Sequence, residues 1–177
     1  MFSQKLHPGD DFPQLVALTG DDQPLELADP SRETPWRLIV VYRGRHCPLC
    51  TKYLNQVETY RERLLELGVD IIAVSGDSKE QLAEHSSRLE VNFPLGYGLN
   101  IAQMQHLGLY VSHPRSEQET DHPFAEPGLF VVNQDGNLHV VDISNNPFVR
   151  PELEALVNGI AWIKNPDNHY PIRGTFR

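Results

Sequence analysis

Cysteine is scarce in this 177-residue chain, which holds only Cys47 and Cys50. One pair cannot make a disulfide framework, so the sequence points to a reducing, cytoplasmic setting. Long apolar runs are missing too. None approaches the ~20 residues of a membrane-spanning helix, and "MFSQKLHPGDDF" lacks the charged start and apolar core of a secretory leader. Positive charge is short, with 15 Lys and Arg against 24 Asp and Glu and a formal net charge of −9. That balance speaks against a nucleic-acid or membrane-surface partner. No Gly-rich phosphate loop occurs, so no nucleotide cofactor is expected. Internal repeats, low-complexity tracts and long linkers are also absent.

What is present suits one domain over residues 1–177, a length that can bury a sizeable core without a metal or disulfide staple. Residues 1–35 read as an N-terminal extension in which "FPQLVAL" and "LELAD" are short strands around the turn "TGDDQP". "WRLIVVYR" and "VDIIAVSG" are β-branched, apolar runs that read as buried strands. Between them the pattern from Cys47 to Leu67 predicts one helix, ended by Gly68. "SKEQLAEHSSRLE" predicts a second helix with Ser78 as its N-cap, followed by a short strand at "NFPLGYG" and a short helix at "IAQMQHLGL". Residues 111–127 read as a long polar loop. "GLFVV" and "NLHVVDI", joined by "NQDG", form a hairpin. "RPELEALVNGIAWI" is the last helix, with Pro151 in its first turn, and residues 165–177 are an irregular tail. This order implies an α/β fold, a three-layer α/β/α sandwich on a mixed central sheet, parallel first and antiparallel later.

The cysteine pair in "VYRGRHCPLCTKYL" falls where a strand gives way to a helix. A thiol attacks as thiolate, and the unpaired N–H groups at a helix start favour negative charge. Arg43, Arg45 and His46 add positive charge nearby. Cys47 is therefore the expected nucleophile, and Cys50, one turn deeper, the thiol that captures a sulfenic acid or mixed disulfide on Cys47. Pro48 suits a helix start. Two readings compete with this one. Buried cysteines are common core residues. A zinc site would need four ligands, whereas the pair supplies two and His46, His113, His122, His139 and His169 are scattered, so no metal is expected.

Several stretches also resemble a known superfamily. "LHPGDDFPQLVAL" and "PLELAD" resemble the opening of peroxiredoxins, and "RLIVVYRGRHCPLCTKYL" resembles the strand, active-site loop and helix of the thioredoxin fold. The pattern Y-R-G-x-x-C-P-x-C-x-x-x-L is similar to a peroxiredoxin-like branch of the alkyl hydroperoxide reductase / thiol-specific antioxidant family, as are "GLFVVNQDGNL", "NNPFVRPEL" and "YPIRGT". The resemblance implies a thioredoxin-like sandwich and an enzyme that reduces peroxides, regenerated by a thioredoxin- or glutathione-type reductant and assembling as a homodimer. It also leaves room for a disulfide oxidoreductase, or for a non-catalytic redoxin acting as a redox switch. The family's peroxide motif is P-x-x-x-T/S-x-x-C. Here Val40 and Gly44 occupy the proline and hydroxyl slots, and Pro127 stands where the family arginine precedes a "GLF"-like strand.

The remaining candidates each carry a blander reading. Arg43 or Arg150 could substitute for the missing family arginine. Of Arg43 and Arg45 it is Arg43, within Y-R-G, that is favoured to polarise Cys47 or a peroxide oxygen, against a reading of both as solvated charges at a strand end. Alternation points Arg43 and Arg45 the same way. His46 either adds charge beside Cys47 or relays a proton. Arg150 could reach the site but reads better as a surface arginine paired with Glu152 or Glu154. Asp77 and Ser78 follow a strand's carboxyl end and could line the site but read better as helix-capping residues. His113 and His122 could form a lid or metal pair but read better as solvated loop residues. A cis Glu126–Pro127 bond is the last expectation, by analogy with the cis-proline opposite thioredoxin's cysteines.

Overall fold

The computed structural model describes residues 4–29, 31 and 33–177. The first three residues of the expected N-terminal extension, with Pro30 and Arg32, lie outside them. The strands are β1 (Val16–Thr19), β2 (Pro24–Glu26), β3 (Trp36–Val41), β4 (Val69–Val74), β5 (Leu95–Tyr97), β6 (Val111–Ser112), β7 (Phe124–Ala125), β8 (Gly128–Val132) and β9 (Leu138–Ile143). The helices are α1 (Pro48–Glu58), α2 (Arg61–Glu66), α3 (Lys79–Ser86), α4 (Ile101–His106) and α5 (Leu153–Lys164), with a 3-10 turn at Pro166–Asn168.

Seven strands form one mixed sheet in the order β2-β1-β5-β4-β3-β8-β9. Strand β3 runs parallel to β4, and β4 to β5, while β8 is antiparallel to β3 and β9 to β8. Both faces of β3 are buried, so its side chains feed two cores. Leu38, Val40 and Tyr42 pack with Cys47, Cys50, Leu54 and Val57 of the cysteine helix and with Val157 and Ile160 of α5. Ile39 and Val41 pack with Ile72, Val74, Phe130, Met104 and Leu107 on the other face. Helices on both sides of a mixed sheet give the expected thioredoxin-like sandwich. Among the described residues no helix is long and apolar enough to cross a membrane.

Four local expectations need correction. The single helix from Cys47 to Leu67 is two. Thr59 Oγ1 donates to the Gln56 carbonyl at 2.7 Å, an alternative that draws the backbone out of the helical ladder, and α2 restarts after Tyr60. Gly68 still ends it, at φ +76. Residues 111–127 are no solvated loop: β6 and β7 pair antiparallel, and Thr120, Phe124, Ala125 and Glu126 are buried. The segment is a flap folded over the cysteine loop. Pro151 lies outside α5, whose start is capped by Glu152 accepting the N–H groups of Glu154 and Ala155. The Glu126–Pro127 bond is trans, as are all peptide bonds among the described residues, in line with the intrinsic X–Pro preference.

Candidate active site

The site begins with a turn. Strand β3 ends at Val41, the Gly44 carbonyl accepts the Cys47 N–H at 3.2 Å, and Cys47 becomes the N-cap of α1. Its Sγ accepts the Cys50 N–H at 3.2 Å, and Pro48 fills the first helical position without wasting a donor. No acidic residue stands in the first turn, so nothing there opposes an anion at the helix start. Cys47 and Cys50 are joined by a disulfide, with Cα atoms 5.2 Å apart. Both are buried.

The guanidinium that faces the sulfurs is Arg150. Its Nη2 lies 2.9 Å from Cys50 Sγ and 3.9 Å from Cys47 Sγ, and its Cζ sits 5.0 Å over the Tyr53 ring. This overturns the surface-pair expectation. The Glu152 carboxylate is occupied by the start of α5 and Glu154 is taken by Arg63. Tyr53 meanwhile donates to the Pro151 carbonyl at 2.8 Å, tying the segment before α5 to α1. Burial pulls Arg150 below its usual pKa, so it gains from an anionic partner.

Arg43 is engaged elsewhere. Its Nε lies 3.0 Å from Glu126, its Nη2 3.8 Å from Glu119, and its Cζ 4.7 Å over Phe124. Among the described residues no hydrogen bond or ion pair joins it to either sulfur. Burial raises the Glu126 carboxyl above the ordinary range, with Arg43 pulling the other way. Arg45 turns to α3, where its Nη1 lies 3.6 Å from Glu84. The two arginines therefore diverge, because Gly44 between them adopts φ +138, a conformation that side-chain-bearing residues rarely take.

His46 packs against Phe124, ring centroids 4.5 Å apart, with both ring nitrogens buried and without a hydrogen-bond partner. Burial, then the charge of Arg43, pushes it down to about 4. At neutral pH the ring is uncharged, which corrects the expectation that it adds positive charge beside Cys47.

Asp77 and His122, expected as a helix-capping residue and a solvated loop residue, instead meet beside the cysteine turn. Ser78 caps α3 as expected, but Asp77 is fully buried. It accepts the Arg45 N–H at 2.7 Å and faces His122 Nε2 at 3.2 Å. Its place at the carboxyl end of β4 is the sequence signal that it could line the site. Among the described residues no hydrogen bond or ion pair joins His113 to the cysteine loop. On the outer side, an open groove of about 300 Å³ is lined by Leu49, Lys52, Tyr53, Phe148 and Arg150. Among the described residues no group of three or more metal-ligating side chains converges.

The AhpC/TSA family model matches residues 8–141. No curated protein matches the sequence. Among solved structures, a peroxiredoxin-like protein from Aquifex aeolicus superposes with a TM-score of 0.73 at 16% identity, covering 89% of this chain and 88% of that one. A peroxiredoxin 6 mutant from Arenicola marina gives 0.75 at 18%, covering 92% and 75%. Enterococcus faecalis AhpC gives 0.73 at 17%, covering 94% and 96%. At these identities the likeness is one of fold.

Proposed function

Because the chain belongs to the AhpC/TSA family, we propose that it is a thiol peroxidase in which Cys47 attacks the peroxide and Cys50 resolves the product. The Cys47 thiolate attacks one peroxide oxygen, the O–O bond breaks, and the leaving alkoxide departs as an alcohol after protonation. The sulfenic acid left on Cys47 is attacked by Cys50, which releases water and closes the disulfide. One peroxide is reduced and two thiols are oxidised. An external dithiol of the thioredoxin or glutathione type, in a cytoplasmic setting, returns the pair to the reduced form.

The observation that carries this reading is the bonded Cys47–Cys50 pair at a helix start with Arg150 beside it. The helix N-terminus favours the Cys47 thiolate, and Arg150 supplies the cation that Arg43, held by Glu126, does not bring to the sulfurs. In the reduced protein the same guanidinium can stabilise either thiolate and hold a peroxide oxygen. The fold of the chain as one redoxin domain, and its pairing as a homodimer, belong to the same proposal.

A disulfide-exchange activity is the second reading, favoured by Val40 and Gly44 in the slots where the family motif has proline and a hydroxyl. One experiment separates the two. Stoichiometric peroxide should remove two thiols per chain far faster than it oxidises an unassisted thiolate, and a dithiol reductant should restore them. Cys47→Ser should abolish turnover, and Cys50→Ser should accumulate a sulfenic acid on Cys47. Full peroxidase turnover by Cys47→Ser would sink the proposal. Slow peroxide oxidation alongside fast reduction of disulfide substrates would replace it with the second reading.

A further inference from the structure

We propose that Asp77 and His122 form a positioning pair for the cysteine turn, Asp77 anchoring the backbone that presents Cys47 and a doubly protonated His122 holding Asp77 in place. The proposal rests on Cys47 being the reactive thiol, as argued above. Asp77 follows β4 and is entirely buried, so its carboxylate needs donors. One oxygen takes the Arg45 N–H at 2.7 Å and the other faces His122 Nε2 at 3.2 Å. The Asp77 backbone is itself locked, its N–H donating to Ser75 Oγ at 3.1 Å and its carbonyl accepting the Gly98 N–H at 2.9 Å.

The carboxylate lies flat against Gly44, where a Cβ would sit 2.5 Å from Oδ1. Gly44 in turn accepts the Cys47 N–H. Anchor, turn and sulfur thus form one short chain of contacts. The hydroxyl that the family pattern puts at position 44 has no room here; the space is taken by a carboxylate that arrives from the neighbouring strand.

His122 reaches Asp77 from the flap. Its Nδ1 lies 2.8 Å from the Pro123 carbonyl while Nε2 faces Asp77. Both partners are acceptors. A neutral imidazole carries one N–H and would set a lone pair against one of those oxygens; the imidazolium donates to both. The groups around the ring agree. Asp77 and Asp121 hold its proton, with the Asp77 hydrogen bond the largest influence raising its pKa, and burial opposes them. Across the cysteine turn His46 is uncharged at neutral pH and the Arg45 guanidinium turns to Glu84. From α3, Gln81 donates to Asp121 at 2.8 Å. The Met104 methyl and the His122 ring both border Gly76.

The sign follows. His122 keeps its proton above the ordinary histidine value of about 6.5 and loses it as pH rises further. Losing it removes one of the two contacts, and flap and turn slacken together. Cys47 reactivity then carries a component that falls with pH, set against the ordinary rise in thiolate.

The test uses the reduced full chain with Cys50→Ser, so that one thiol reports. The His122 ring is followed by NMR across pH, and Cys47 alkylation by iodoacetamide is timed over the same range; neither readout needs peroxidase activity. His122 should titrate above about 6.5, and the alkylation profile should show a second ionisation coinciding with it. In His122→Gln that ionisation should vanish and the rate at neutral pH should drop several-fold. Asp77→Asn, where it folds, should lower the His122 titration. The proposal is overturned if His122 titrates at or below the ordinary value. It is equally overturned if His122→Gln leaves the profile unchanged or scales it equally at every pH, the mark of a merely structural role.

Discussion

Arg150 holds its guanidinium against both sulfurs, with Nη2 2.9 Å from Cys50 Sγ and 3.9 Å from Cys47 Sγ. A charge-assisted hydrogen bond is worth about 1.5–3 kcal/mol, so Arg150→Ala should slow Cys47 and Cys50 alkylation at neutral pH by about tenfold or more. Arg150→Lys should recover only part, because an ammonium keeps the charge but loses the planar stack on Tyr53. Timed alkylation of the reduced chain checks both. Gly44 makes the complementary case. Gly44→Thr restores the hydroxyl of the family pattern, yet it puts a Cβ against Asp77 at φ +138. It should destabilise the chain by about 2 kcal/mol, read from urea unfolding, without raising peroxide turnover. Cys47 and Cys50 were legible in the sequence because spacing and a helix start suffice to define them. Arg150 was legible only as one of several possibilities, with the surface pair preferred, since it lies 100 residues from Cys50 in the chain and only closure of the fold delivers it.

At the scale of elements, the legible pieces are those that their own residues dictate. Strands β3 and β4 are β-branched runs buried on both faces, and α3 starts at Ser78 with a full capping box to Gln81. The flap was missed because its own string is polar, and what orders it lies elsewhere. Arg43 meets Glu126 and Glu119, His122 meets Asp77, and Phe124 packs on His46. Each contact joins the flap to the cysteine loop or its anchor. Phe124→Leu keeps most of the buried volume but loses the aromatic contacts with His46 and Arg43, at a cost of about 1–1.5 kcal/mol. If the flap clamps the loop, hydrogen exchange at residues 43–47 should accelerate by about tenfold in this variant, while the amides of β3 and β4 stay protected. Exchange rates unchanged at the loop would show that the flap merely covers it.

For the whole molecule, the buried imidazoles determine how stability responds to acid. His46, His85 and His139 all titrate below the ordinary value, each chiefly through burial, with His46 down at about 4. The unfolded chain takes up these protons near pH 6.5 while the folded chain refuses them, so their contribution is full above that pH and is lost as pH falls toward about 4. Two groups act in the opposite direction. His122 holds its proton above the ordinary value, so its contribution is full below about pH 6.5 and is lost as pH rises through the folded value. Glu126, its carboxyl raised by burial, weakens the folded state at neutral pH and ceases to do so once protonated. The net charge of −9 adds repulsion that acid relieves. Three imidazoles losing stability outweigh these, and the melting temperature should fall steadily between pH 6.5 and 4.5. His46→Phe isolates one contributor, because the ring keeps its place on Phe124 and neither of its buried nitrogens has a partner to lose. The variant should melt at a temperature close to the parent at pH 7.5 and above it at pH 4.5. Parallel melting curves for the two proteins across that range would mean that His46 takes up its proton as easily folded as unfolded, and that the packing of its ring does not exclude the charge.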